Sequence, residues 1–263
     1  MSTSPTIGIF DSGVGGLSVA REIRRQLPHE QLLYFADSAY CPYGGRSAEE
    51  IRDRSLAIGG YLIEQGAKVL VVACNSASGA ALEALRESYP LPVVGMEPAV
   101  KPAALTTRTG RIGVMATAAT LAAQRFDRLM ENYAREVEVV AQPCPGLVEL
   151  VEEGEFAGER VREALTGILE PLRRAEVDAV VLGCTHYPFL QEEIARVLGP
   201  QVTLIDSAPA VARQTRRVLE ERGLLAAEGE GSLHVVTSGD PERVRPVATR
   251  LWGAPLEVER VEV

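Results

Sequence analysis

The sequence predicts an α/β protein made of two related halves, each with a mainly parallel sheet. Three observations carry this. Apolar strand-like runs alternate with helical stretches along the chain. The runs are continuous rather than alternating, as strands buried on both faces are. A second set of runs repeats the first at a nearly constant offset.

The elements follow in order. IGIF (7–10) leads through DSGVGG into a helix, LSVAREIRRQL. LLYFAD (32–37) is the next strand, and KVLVVAC (68–74) precedes the helix SGAALEALRESY. PVVGM (92–96) closes the first set. RIGVM (111–115), VEVVAQ (137–142), DAVVLGC (178–184) and VTLID (202–206) form the second. IGIFDS at 7–12 matches IGVMAT at 112–117, and YFAD at 34–37 matches VVAQ at 139–142, both at an offset of 105. VVACNS at 71–76 matches VLGCTH at 181–186 at an offset of 110, and GMEPAV at 95–100 loosely matches the IDSAPAV stretch at 205–211. Each match alone is weak, because apolar strands look alike; the shared order is what persuades.

The halves are therefore expected at about 1–97 and 98–208. The rest, 209–263, holds a helix (APAVARQTRRVLEERG), a Gly-rich turn, a strand (LHVVTSG), another helix and a terminal strand. It is expected to pack on the first half, giving a discontinuous first domain of 1–97 plus 209–263.

Composition bounds the function. The chain has 263 residues, 46% hydrophobic and 24% charged, enough for a real core. A net charge of −9 opposes a nucleic-acid binder, which needs a basic face. No apolar run approaches the ~18 residues of a membrane span. The start, MSTSPTIGIFDSG, lacks the pattern of a signal peptide, so a cytoplasmic location is expected. Cys41, Cys74, Cys144 and Cys184 form no CxxC pair and are expected as free thiols.

The repeat singles out two of them. Cys74 and Cys184 stand at the carboxyl ends of matching strands, where open α/β sheets bind ligands. Each is expected to precede a helix start, whose N–H groups lower a thiol pKa. Two thiols facing each other across a cleft suit one reaction: a proton leaves one face of a carbanion and returns on the other. Packing is the ordinary reading of one buried cysteine, and Cys41 and Cys144, which lack partners in the repeat, keep a packing or loop reading.

Other residues gather around them. The glycines of DSGVGG (11–16) permit positive φ and let a carboxylate or phosphate approach backbone N–H groups. Asp11 is either a helix N-cap or a partner of the substrate or thiol. His186, two residues past Cys184, is placed to tune it; a Cys-x-His pair without further clustered ligands is weak evidence for zinc. CPYGGRS (41–47) is a surface turn or a cover over the ligand. Among Glu149, Glu152 and Glu153, periodicity does not choose.

The motifs GIFDSGVGGLSV, ADSAYCPYG, VVACNSASG, GLVELVEEGE and LGCTHYP, in this order and over nearly the whole chain, closely resemble those of glutamate racemases, within the aspartate/glutamate racemase family. The resemblance implies cofactor-independent interconversion of L- and D-glutamate, supplying D-glutamate for bacterial peptidoglycan, in a cleft between two α/β domains. It implies Cys74 acting on the D-enantiomer and Cys184 on the L-enantiomer. It implies Asp11 beside the first thiol, and Glu152 and His186 beside the second. Asp11, Ser12, Tyr43, Gly44, Asn75, Ser76, Thr185 and His186 then match substrate-holding positions, no metal is involved, and the chain is a homodimer. Ser76 departs from the family, which usually has threonine there; the hydroxyl survives.

Other readings compete. The same chemistry can act on aspartate or a hydantoin. A pyridoxal enzyme needs a Schiff-base lysine, and the only lysines, Lys68 and Lys101, have no such context. GVGGLS with Asp37 after the next strand imitates a dinucleotide fingerprint, but Ser18 stands where Gly or Ala belongs. Two lobes around a cleft also describe a solute receptor, in which the thiols are incidental.

Overall fold

A computed structural model of the chain describes residues 5–263. The first four residues of the opening segment, read above as lacking a leader, lie outside the described residues. Among the described residues, the strands are β1 (Thr6–Asp11), β2 (Gln31–Ala36), β3 (Ala67–Val72), β4 (Val93–Val94), β5 (Arg111–Ala116), β6 (Glu138–Pro143), β7 (Ala179–Leu182), β8 (Thr203–Asp206), β9 (Leu233–Thr237) and β10 (Val258–Arg260).

They form two sheets, ordered β10-β9-β2-β1-β3-β4 and β6-β5-β7-β8. Every pairing in both is parallel. The order β2-β1-β3-β4 recurs as β6-β5-β7-β8, so the sequence repeat is a repeat of topology. In register, Phe10 of β1 pairs with Val72 of β3, and Met115 of β5 with Leu182 of β7. The carboxyl-terminal strands extend the first sheet, β9 against β2 and β10 against β9.

Continuous apolar runs mark the central strands because helices cover both faces. All four residues of β7 are buried, whereas the edge strand β6 is partly exposed along its length. Side chains of β7 alternate between two cores: Val180 and Leu182 in one, Ala179 and Val181 in another. The first of these cores also holds Ile7 and Ile9 of β1, Leu147 and Val151 of the helix Leu147–Glu152, and Val244 and Leu251 of the helix Pro241–Trp252. It is shared by both sheets and keeps the two halves together through apolar burial.

The turn before β5 is pinned by Asp178, just ahead of β7. Its carboxylate accepts from Thr107 Oγ1 at 2.5 Å and from the N–H groups of Arg108 and Thr109 at 2.7 and 3.1 Å. Burial pushes this carboxyl up, but these hydrogen bonds outweigh it and hold the pKa at about 2. A carboxyl depressed on folding adds stability that is present above the usual carboxylate range and lost as pH falls through about 2. Asp178→Ala is expected to cost about 2 kcal/mol at pH 7. In urea denaturation the gap to the unaltered chain should narrow as pH drops below about 4. A gap that stays constant down to pH 2 would contradict this account.

Candidate active site

In each sheet the first strand, β1 or β5, lies between the second and the third. Consecutive connections therefore leave it in opposite directions and open a crevice at the carboxyl ends. Cys74 follows β3 and Cys184 follows β7, and both line one narrow cavity of about 270 Å³. Asp11, Ser12, Tyr43, Gly44, Asn75, Ser76, Thr185 and His186 line the same cavity. Of the residues that the resemblance assigns to the site, Glu152 alone stands behind this wall rather than in it.

On the Cys74 side, the cysteine occupies the N-cap of the helix Asn75–Ser88. The sequence-based expectation of a lowered thiol pKa fails here. Burial pushes Cys74 well up, the Asp11 charge adds to this, and the Ala77 N–H pulls the other way without prevailing. Asp11 is fully buried. Its Oδ2 accepts from the Gly16 N–H at 2.7 Å and from Thr185 Oγ1 at 3.2 Å, and Ser12 Oγ lies 3.4 Å from Oδ1. Gly16 itself is the N-cap of the helix Leu17–Gln26, so Asp11 steadies that helix start from outside while facing the cleft. Burial raises its pKa, against the pull of His186.

On the other side, no α-helix follows Cys184 directly, contrary to expectation. A turn leads into a short 3-10 helix, Tyr187–Leu190, and then the helix Gln191–Leu198, because Pro188 supplies no N–H to an α-helical ladder. The local charge comes from an imidazole instead. His186 Nδ1 is 3.6 Å from Cys184 Sγ, and Nε2 is 2.7 Å from Glu152 Oε1. Burial would lower the His186 pKa, but its contacts with Cys184, Cys41 and Glu152 win and raise it well above the usual histidine value. With both ring nitrogens protonated, Nδ1 donates towards the sulfur and Nε2 to the carboxylate.

The structure separates the three glutamates. Glu152 meets His186, Glu153 pairs with the exposed Arg160 at 2.6 Å, and Glu149 is exposed. Glu152 Oε1 also accepts from the Val14 N–H at 2.7 Å. The loop DSGVGG therefore does bind a carboxylate, the chain's own. Its glycines also need a different explanation from the one offered by the sequence, because Gly13, Gly15 and Gly16 all lack positive φ. They supply space. A Cβ on Gly13 would sit 2.0 Å from Glu152 Oε1, and one on Gly15 would sit 2.3 Å from His186 Nδ1.

The polar wall has further members. Ser76 Oγ is 2.9 Å from Thr117 Oγ1 and 3.3 Å from Thr120 Oγ1. Both threonines line the cavity and were missed by sequence reasoning. The repeat held a signal for one of them, since Thr117 is the match of Ser12. Asn75 is the reverse case: both side-chain amide atoms are buried without a partner. An orphaned amide at a cavity wall is costly until something enters to pair with it.

Tyr43 lines the cavity, but its hydroxyl donates to Asp37 Oδ2 at 2.5 Å. Asp37 is also held by Arg54 at 2.7 and 3.1 Å and by Ser238 Oγ at 2.7 Å. Its carboxylate is thus engaged, which removes the ribose partner that a dinucleotide would need. Cys41 packs against the shared core, as the packing reading expects, and it also lies against Glu152 and His186; burial raises its thiol pKa to about 12. Cys144 stays in the shared core.

With this geometry in place, the comparisons are informative. The family model for Asp/Glu/Hydantoin racemase matches residues 7–215. The chain belongs to that racemase family. It is 50% identical over 261 residues to a glutamate racemase of Pseudomonas aeruginosa, covering 99% of this chain and 98% of that protein. Its structure is similar to the glutamate racemase isoform RacE1 of Bacillus anthracis, with a TM-score of 0.90, 36% identity and 98% of each chain covered. It is also similar to the Escherichia coli glutamate racemase in complex with L-glutamate and the activator UDP-MurNAc-Ala, with a TM-score of 0.88, 38% identity and 99% of each chain covered. Among the described residues, no helix is long and apolar enough to cross a membrane.

Proposed function

We propose that this racemase interconverts L- and D-glutamate by proton transfer between Cys74 and Cys184. The observation that carries the reading is the pair of thiols, one at the same strand end of each repeated sheet, lining a single cavity. Glutamate as substrate is supported by the half-identical relatives that bear its name and by the L-glutamate in the Escherichia coli complex.

One sulfur, as thiolate, takes the α-proton and leaves a planar carbanion. The opposite thiol gives its proton to the other face, and the two sulfurs exchange states. Cys74 serves the D-enantiomer and Cys184 the L-enantiomer. Burial keeps Cys74 as a thiol at rest, which suits it to donate first when the L-enantiomer is bound. Asp11 faces it for the return step. His186 is placed to pass a proton to or from Cys184 Sγ, with Glu152 fixing the ring. The Asn75 amide and the hydroxyls of Ser12, Ser76 and Thr185 hold the substrate, while Tyr43 and Gly44 contribute wall and backbone. Both proton-transfer groups belong to the chain, so the reaction calls on no cofactor. A homodimer, a cytoplasmic location and a role in peptidoglycan supply accompany this reading through the resemblance.

The test uses dialysed protein with L-glutamate in D₂O. Optical rotation should fall to zero with α-deuterium uptake, and kcat/KM for glutamate should exceed that for aspartate. A requirement for added pyridoxal phosphate would overturn the two-thiol reading, and a preference for aspartate would overturn the substrate.

A further inference from the structure

His186 has a neighbour that proton transfer does not use. Cys41 Sγ, a Glu152 carboxylate oxygen and a His186 ring nitrogen all lie within 4.8 Å of one another. They come from three segments far apart in sequence: the loop after β2, the end of the helix Leu147–Glu152, and the turn after β7. Thiolate, carboxylate and imidazole form a donor set suited to a borderline-soft divalent cation of the Zn²⁺ type, whereas Mg²⁺ and Ca²⁺ favour oxygen alone. Tetrahedral bonds to such an ion place the ligand atoms about 3.3–3.8 Å apart. The 2.7 Å between His186 Nε2 and Glu152 Oε1 and the 4.8 Å limit of the cluster bracket that spacing.

The site also has an entrance apart from the substrate cavity. Cys41 and Glu152 line an open cleft of about 1020 Å³ on the far side of the wall. The cleft is lined by Glu149, Glu153 and Asp240 beside Arg243; Glu153 is paired with Arg160, so Glu149 and Asp240 join Glu152 in an acidic excess that attracts divalent cations.

We propose that Cys41, Glu152 and His186 bind a Zn²⁺-type cation from this cleft, and that the bound ion inhibits the enzyme. On binding, the Cys41 thiol and the His186 imidazolium each release a proton to solvent, and the sulfur and the freed ring nitrogen coordinate the ion. Glu152 and His186 turn from each other to the metal, and His186 no longer serves Cys184. The inhibition rests on the racemase reading above; the binding does not.

The full-length chain, cleared of metal by chelation, is titrated with Co²⁺, whose bond to a thiolate gives a charge-transfer absorption band. One equivalent should saturate the band and Zn²⁺ should displace it. Cys41→Ser should lose the band, and the Zn²⁺ concentration for half-inhibition of racemisation, relative to that variant's own metal-free rate, should rise at least about 10-fold. The double variant Cys74→Ser, Cys184→Ser should keep the band. If Cys41→Ser does not fold, Glu152→Gln serves instead and should weaken Co²⁺ binding about 10-fold or more. A band that survives in Cys41→Ser, an affinity unmoved in Glu152→Gln, or a band lost with the two cleft thiols would overturn the site. A chain that shows the Cys41-dependent band but never racemises glutamate would keep the site and refute the function.

Discussion

Replacing Cys74 or Cys184 by serine is expected to lower kcat for glutamate racemisation about 10²–10⁴-fold, the usual worth of a positioned acid or base. A serine hydroxyl keeps nearly the same volume, so the fold and KM should change little. Only the proton affinity of the group is transformed. The two losses should differ in kind. Without Cys74, the L-enantiomer still meets its base, so α-proton exchange from L-glutamate should outlast racemisation. Without Cys184, the same should hold for D-glutamate. NMR of the α-proton in D₂O separates the two. Cys144→Ala provides the contrast, because Cys144 lies in the shared core, where its Sγ donates to the Gln142 carbonyl at 3.2 Å. It should cost stability and leave kcat within a few-fold. A solute receptor with incidental thiols would show none of this asymmetry, and full turnover in either serine variant would refute the mechanism.

Gly15→Ala is expected to have the next largest effect, although it removes no chemical group. The new methyl would lie 2.3 Å from His186 Nδ1 and 2.5 Å from Cε1, well inside contact distance. His186 is almost wholly buried and hydrogen-bonded to Glu152 at 2.7 Å, so a methyl pressed against its ring displaces it from this arrangement. It must swing away from Cys184 or push the DSGVGG loop off the second half. A displacement of about 1 Å in a proton-transfer group costs on the order of 10²-fold in kcat. The overpacking should also take about 1–3 kcal/mol from stability. KM should hold, since Asn75, Ser76 and Thr185 are not displaced. Gly45→Ala is the control: its Cβ would meet nothing within 4 Å and its φ is not positive. If Gly15→Ala turns over normally, the loop's glycines do not exist to admit His186.

Much of the fold could be read from the sequence because repeated patterns survive translation into topology. Continuous apolar runs indicated strands buried on both faces, and the constant offset indicated that one strand order is used twice. The thiols were legible for the same reason: a match between Cys74 and Cys184 places both at one kind of strand end. Thr117 was equally within reach, as the match of Ser12, and was overlooked because a hydroxyl after a strand suggests no chemistry alone. Cys41 gave no signal. It has no partner in the repeat, and its neighbours Glu152 and His186 are over a hundred residues away. The glycines of DSGVGG were visible but misread, since sequence shows that side chains are missing without showing what fills their place.

Sequence by itself determined the α/β class, the duplicated strand order and the residues that end each strand, because these depend on local periodicity and on comparing the chain with itself. Tertiary structure alone decided how Glu152, which periodicity left open and the resemblance singled out, meets His186, why burial rather than a helix dipole governs Cys74, and what crowds against the first loop. Those outcomes depend on distances between segments remote in the chain and on how completely water is excluded from them, and both arise only when the two halves close on each other.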